Sequence, residues 1–256
     1  MKGQRIARQG GQGESLMGIE RHVTIYEGPG GPFEGMAVVD NRLTGAVPGV
    51  LLIPNVLGTK EADFIRAEAI AGLGYAVLVG DVYGRGKRTT RAEGPQMGRY
   101  MAELNDDRAL LKARLTASLD ALKVMPQVDT ARCAAIGYCF GGKCVLDIAR
   151  HDLGVKGVVS FHGVYDRPPV PVTPITAKIL VCHGWDDPIC PPDAMVALGG
   201  ELTEAGADWQ IHAYGNTSHA FTDASMNAAE HGIGFQPDAD RRSWKAMTDF
   251  LGECLA

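Results

Sequence analysis

Cys139 lies in the string Gly137-Tyr138-Cys139-Phe140-Gly141-Gly142, between a β-branched apolar run and an amphipathic segment. A strand that ends in Gly-x-nucleophile-x-Gly and runs into a helix sets its central residue on a tight, strained turn, with the side chain held out above the sheet. A thiol in that position gains from the helix N-terminus, whose unpaired N–H groups and dipole favour a thiolate. It still needs a base. On a sheet of this kind the chain order is nucleophile, acid, histidine, with the last two on loops after late strands. His219, in Gly215-Asn216-Thr217-Ser218-His219-Ala220-Phe221 after the last strand-like run, meets that order. His22 and His212 fall inside strand patterns, His151 closes a helix, and His231 reads as a loop residue. His162 and His183 each end a strand on the same edge, which makes them secondary candidates for substrate contact or packing.

The acid is sought after the run Lys178–Cys182, where the chain reads His183-Gly184-Trp185-Asp186-Asp187-Pro188-Ile189-Cys190-Pro191. Two adjacent aspartates cannot both point inward from an extended turn, so they compete. Asp187 is preferred as the carboxylate that fixes the imidazole tautomer, with Asp186 left to organise the turn. Two backbone N–H groups must hold an oxyanion: that of Phe140, next after the thiol, and one from the loop Pro54-Asn55-Val56-Leu57-Gly58, where Val56 is the choice.

The elements that must position these groups follow from periodicity. From about Val47 onward, short apolar runs alternate with helical patterns, which predicts a mostly parallel sheet covered by helices on both faces. His22–Tyr26 and Gly35–Val39, joined by Gly-Pro-Gly-Gly-Pro, predict an antiparallel start. Further strands are expected at Gly49–Ile53, Tyr75–Gly80, Arg132–Ile136, Val155–Phe161, Lys178–Cys182 and Trp209–Tyr214. Helices are expected at Glu61–Leu73, Gln96–Val124, after Cys139, at Pro192–Ala205 and at Arg241–Leu251.

Bulk composition narrows the function classes. The 256 residues carry 25 basic and 30 acidic side chains, a formal charge of −5 with no basic stripe, which argues against a nucleic-acid partner. Six cysteines without metal-ligand spacing or disulfide-scaffold density fit a reduced, cytoplasmic setting. No apolar stretch suits a signal peptide or a membrane span. Residues 1–16 are expected to be a disordered tail, with Met17 an alternative start. Residues 17–256, free of repeats and linkers, are expected to form one domain. No metal and no organic cofactor are implied, and the oligomeric state is left open.

At these motifs the chain resembles the dienelactone hydrolase family of α/β-hydrolases. The similarity rests on Gly137 to Gly142, on Gly80-Asp81-Val82-Tyr83-Gly84-Arg85, on Asp187 to Pro191, and on Gly215 through Ser218-His219-Ala220-Phe221. It implies an α/β-hydrolase fold without a separate lid domain, and a Cys139, His219 and Asp187 triad acting on a small ester or lactone. Two departures stand out. The family's switching glutamate is matched by Asn55, which cannot take a proton at neutral pH. Of the two arginines that grip a substrate carboxylate, Arg85 matches one, but Asp223 stands where the second would be. An aspartate there repels an anion unless protonated or paired, so a neutral or even cationic ester or lactone is expected rather than an anionic dienelactone. Arg85 and Asp223 are alternatively a salt bridge with no role in binding. Tyr83, Arg85, Tyr138, His162 and Trp185 are expected to shape the pocket together with Asn55 and Asp223. The alternatives are a true dienelactone hydrolase (carboxymethylenebutenolidase) and, from another class, a non-hydrolytic thiol sensor or binding module.

Overall fold

The computed structural model of the protein describes residues 18–228 and 231–256. The expected tail at 1–16 and the alternative start at Met17 therefore lie outside the described residues.

Eight strands form one sheet: β1 (Ile19–Tyr26), β2 (Phe33–Asp40), β3 (Val47–Ile53), β4 (Ala76–Val79), β5 (Val128–Tyr138), β6 (Gly157–Phe161), β7 (Lys178–Gly184) and β8 (Trp209–Tyr214). Their order across the sheet is β1-β2-β4-β3-β5-β6-β7-β8. The β1–β2 and β2–β4 pairs are antiparallel, as the glycine- and proline-rich turn suggests, and all pairs from β4–β3 to β7–β8 are parallel.

Side chains alternate across the strands, as the two-residue period of a pleated chain requires. On β3, Leu51 and Ile53 join one buried cluster, and Val50 and Leu52 join the other. The first cluster is closed by helices α3 (Arg108–Lys123), α4 (Phe140–Arg150) and α5 (Pro192–Glu204), through Leu111, Leu115, Val145, Ile148, Leu198 and Leu202. The second is closed by α1 (Glu61–Ala71) and α6 (Pro237–Cys254), through Ala67, Ile70, Met247, Phe250 and Leu251. This is the α/β-hydrolase architecture, and no separate lid domain stands among the described residues. No helix among them is long and apolar enough to cross a membrane.

One expected element divides. The pattern over Gln96–Val124 is not a single helix: a 3-10 segment spans Arg91–Gly98, and α2 (Arg99–Asp106) and α3 follow as separate helices. Asp107 makes the break. Its backbone sits at φ −118° and ψ 86°, and its side chain accepts from Leu110 N–H at 2.8 Å, which caps α3. Apolar periodicity runs straight through such a cap because both helices bury the same face. A short hairpin, β9 (Asn227–Ala228) with β10 (Ile233–Gly234), has no strand signal in the sequence.

From β3 the chain moves outward to β4 and then returns to place β5 on the other side of β3. The loops after β3 and β5 therefore leave in different directions from a topological switch point, where open parallel sheets form their crevices.

Candidate active site

Cys139 occupies the turn between β5 and α4 with φ 54° and ψ −114°, a left-handed backbone that non-glycine residues rarely adopt. The flanking glycines are what allow the turn. A Cβ on Gly137 would lie 2.0 Å from the Gly141 carbonyl oxygen, and one on Gly141 would lie 2.0 Å from that of Ile53. The backbone N–H of Cys139 donates to Phe161 at 3.0 Å, which ties the turn to β6.

His219 lies on the loop after β8 and is 3 % exposed. Its backbone N–H donates to Gly232, and its carbonyl accepts from Gly234 N–H, both at 3.0 Å, so the unanticipated hairpin holds the histidine in place. The ring donates from Nδ1 to Asp187 Oδ2 at 2.7 Å. Asp187 is fully enclosed, and its other oxygen accepts from the N–H groups of Ile189 (2.9 Å) and Cys190 (3.2 Å). One carboxylate thus organises its own turn and orients the imidazole. Asp186 is exposed, and its backbone N–H donates to Thr217. The turn-organising part expected of Asp186 falls to its neighbour.

Burial works against charge on the His219 ring, but the hydrogen bond to Asp187 and the interaction with Cys139 outweigh it and raise the imidazole to about 10. For Cys139, burial again opposes ionisation, and the imidazole together with the N–H groups of Phe140 and Val56 overcomes it, which lowers the thiol. His219 Nε2 is buried without a well-formed hydrogen bond, so the sulfur acts on the ring without ideal bonding geometry. Free active sites commonly tighten such contacts only when substrate arrives.

A cleft of about 660 Å³ opens above these groups, within the roughly 300–1,000 Å³ of typical small-molecule sites. Cys139, His219, Asn55, Val56, Tyr138, His162 and Asp223 all line it. Asn55 Oδ1 accepts from Leu57 N–H at 3.1 Å and shapes the loop after β3. His162 meets His219 edge-on with ring centroids 5.1 Å apart, and bonds Thr222 Oγ1 at 2.9 Å. Burial, with the nearby His219 and Arg66 charges, pushes His162 well below the usual imidazole range, so it is neutral.

Three expected pocket residues are placed elsewhere. Tyr83 is buried beneath the loop after β3, stacked on Phe140, with its hydroxyl donating to the Val56 carbonyl at 3.2 Å. It supports the Val56 peptide rather than facing the cleft. Arg85 points away and pairs with Glu34 at 3.0 Å, and Trp185 is exposed outside the cleft. The expected Arg85–Asp223 bridge is also corrected, because Asp223 pairs with Arg91 at 2.8 Å. Sequence reasoning missed Arg66, Arg91, Met97, Thr222 and Trp244, which line the cleft from α1, the 3-10 segment, the histidine loop and α6. Nothing in their local strings marks them. Among the described residues no group of three or more His, Cys, Asp or Glu is placed to hold a metal ion.

The dienelactone hydrolase family model matches residues 33–255. An uncharacterized protein of Caenorhabditis elegans is 37 % identical over 160 residues, covering 59 % of this chain and 99 % of its own. A solved structure described as a dienelactone hydrolase-like promiscuous phosphotriesterase from metagenomic libraries is 31 % identical, with a TM-score of 0.86 over 93 % of this chain and all of its own. Another, designated m3DLH, is 34 % identical with the same TM-score and coverage.

Proposed function

The chain belongs to the dienelactone hydrolase family of ester and lactone hydrolases, and from that premise we propose that it cleaves a neutral ester or lactone through a thioester on Cys139. The observation that carries the reading is a convergence: the Cys139 sulfur interacts with His219, which bonds Asp187, and with the N–H groups of Phe140 and Val56.

The Cys139 thiolate bonds to the acyl carbon, and the carbonyl oxygen takes the negative charge between Phe140 and Val56 N–H. Collapse breaks the bond to the alcohol oxygen, which takes its proton from the His219 imidazolium. Water then gives a proton to His219 as its oxygen attacks the thioester. The acid leaves, and the thiolate–imidazolium pair is restored. Asp187 holds the ring in register throughout. Asn55 cannot act as an acid or base, so proton transfer rests on the Cys139–His219 pair alone.

A true dienelactone hydrolase finds less support, since Arg85 is turned towards Glu34 and Asp223 brings a carboxylate to the cleft. A preference for a free-acid enol-lactone over its methyl ester would restore that reading. One second activity is favoured by a specific observation. The 31 % identical phosphotriesterase and the paired charges of this cleft fit attack of the same thiolate on a neutral phosphotriester. A cytoplasmic setting, for which the six free cysteines are the support, belongs to the same reading.

Cys139→Ala tests the nucleophile. Hydrolysis of p-nitrophenyl acetate should fall by at least about 10³-fold, as for loss of a triad member. Unchanged turnover would remove the assignment.

A further inference from the structure

Four lysine and arginine side chains line the cleft, and each is engaged differently. Lys60 bonds Asp63 at 3.0 Å in the cap of α1, and Arg241 bonds Asp238 at 3.1 Å. Arg66 lies over the Tyr138 ring at 4.4 Å and donates to the Thr222 carbonyl, with Asp240 and Asp63 near enough to act on its charge. Arg91 is held across the rim by Asp223, 132 positions away in the chain, through Nη2 to Oδ2 at 2.8 Å. The other Asp223 oxygen accepts from Ser225 N–H at 3.0 Å and from its hydroxyl at 2.6 Å. The carboxylate is therefore locked to its own loop by one oxygen and to the opposite rim by the other.

We propose that Asp223 is the residue that sets the charge preference of the cleft: by occupying Arg91 it denies a substrate carboxylate its guanidinium partner, which selects neutral acyl groups. This deepens the reading of the protein as a neutral-ester hydrolase and rests on it. The physical basis is the fork geometry of arginine. A guanidinium matches one carboxylate in a planar, two-bond arrangement, and a pair already made leaves an incoming anion facing Asp223 instead. Arg91 is the cleft cation held by a carboxylate from across the rim: Asp223 is its one carboxylate partner among the described residues, and its side chain is 44 % exposed, against 30 % for Lys60 and 69 % for Arg241, whose partner Asp238 lies on its own helix. The Lys60–Asp63 pair, by contrast, is built into a helix terminus, where Asp63 also accepts from Lys60 N–H at 3.1 Å.

Asp223→Asn isolates this idea with little change of shape. The amide oxygen still accepts from Ser225, and the amide nitrogen turns a donor towards Arg91, which ends the pairing. The probe is a pair of unreactive amides of the same shape, N-phenylsuccinamic acid and its neutral N-methylamide, titrated calorimetrically. The wild type should bind the neutral ligand more tightly. In Asp223→Asn the ratio of the two affinities should move towards the acid by about 10- to 100-fold, the range of one charge-assisted hydrogen bond. The double variant Arg91→Gln, Asp223→Asn should lose most of that gain. An unmoved ratio, including failure of Asp223→Asn to bind the acid, overturns the proposal. An equal gain in the double variant also overturns it, because Arg91 would then play no part. Neither ligand needs turnover, so the result stands apart from the Cys139→Ala test of the nucleophile.

Discussion

The floor of the cleft and its rim are built by different means. At the floor, backbone geometry dictates position: a left-handed Cys139, glycines with no room for a Cβ, and a His219 backbone whose N–H donates to the Gly232 carbonyl and whose carbonyl accepts from Gly234 N–H. At the rim, position is set by long side chains that find partners far away in the chain, such as Arg91 with Asp223 and Arg85 with Glu34. Floor residues are constrained by sterics that tolerate almost no substitution. Rim residues are joined by ion pairs that are individually weak when exposed, about 1 kcal/mol or less. Chemistry is thereby fixed while selectivity stays free to change.

The comparison breaks first if the floor tolerates bulk. Gly141→Ala places a methyl group 2.0 Å from the Ile53 carbonyl oxygen. It should cost more than about 3 kcal/mol of stability and abolish esterase activity, as measured by thermal melts and p-nitrophenyl acetate turnover. Native melting with full activity would mean that the turn is not sterically fixed.

Next come the two aspartates, adjacent in sequence but opposite in environment. Asp187→Asn should lower kcat by roughly 10³- to 10⁴-fold, since the imidazole loses its orienting acceptor. Asp186→Asn should change kcat by no more than about twofold, in line with an exposed surface substitution. Steady-state kinetics of the two variants distinguish them directly.

The pH profile sharpens the same contrast. Cys139 is lowered and His219 raised to about 10, so the thiolate–imidazolium pair forms as pH rises through the lowered thiol value and is lost as pH rises through about 10. The stability contributed by His219 is fully present below its ordinary 6.5 and disappears through about 10. That contributed by Cys139 is present above its ordinary 9.0 and disappears as pH falls through the lowered value. Esterase activity should therefore rise as pH climbs through the lowered thiol value and fall on an alkaline limb near 10. Asp187→Asn should move that limb to lower pH.

The smallest effects belong to the outer rim. Arg85→Ala and Trp185→Ala should each leave kcat/KM for a neutral ester within about twofold, because neither side chain reaches the cleft. A tenfold loss in either variant would show that the rim closes over substrate more tightly than its free geometry indicates.

Legibility in the sequence follows the same division. The elbow could be read because Gly137, Cys139 and Gly141 encode a local steric requirement in five residues. The positions of Asp187 and His219 followed from chain order on a parallel sheet. The strand alternation that places Leu51 and Val50 in opposite cores was legible for the same reason, since its period is local. What could not be read depended on distant partners. Arg85 stands at a position that suggests anion binding, yet Glu34 from β2 turns it away. Asp107 divided an unbroken apolar pattern because a single cap hydrogen bond leaves periodicity intact. The β9–β10 hairpin that holds His219 consists of two-residue strands, too short for any pattern.

The most direct test of the account is to trap the acyl-enzyme. The protein is mixed with p-nitrophenyl acetate, quenched in acid within the first turnovers, digested and mapped by mass spectrometry. The account predicts an acetyl group on the peptide carrying Cys139, absent when Cys139 is alanine and longer-lived when His219 is replaced. Continued turnover with no acetyl group on Cys139, or with the acetyl group on a different residue, would contradict it.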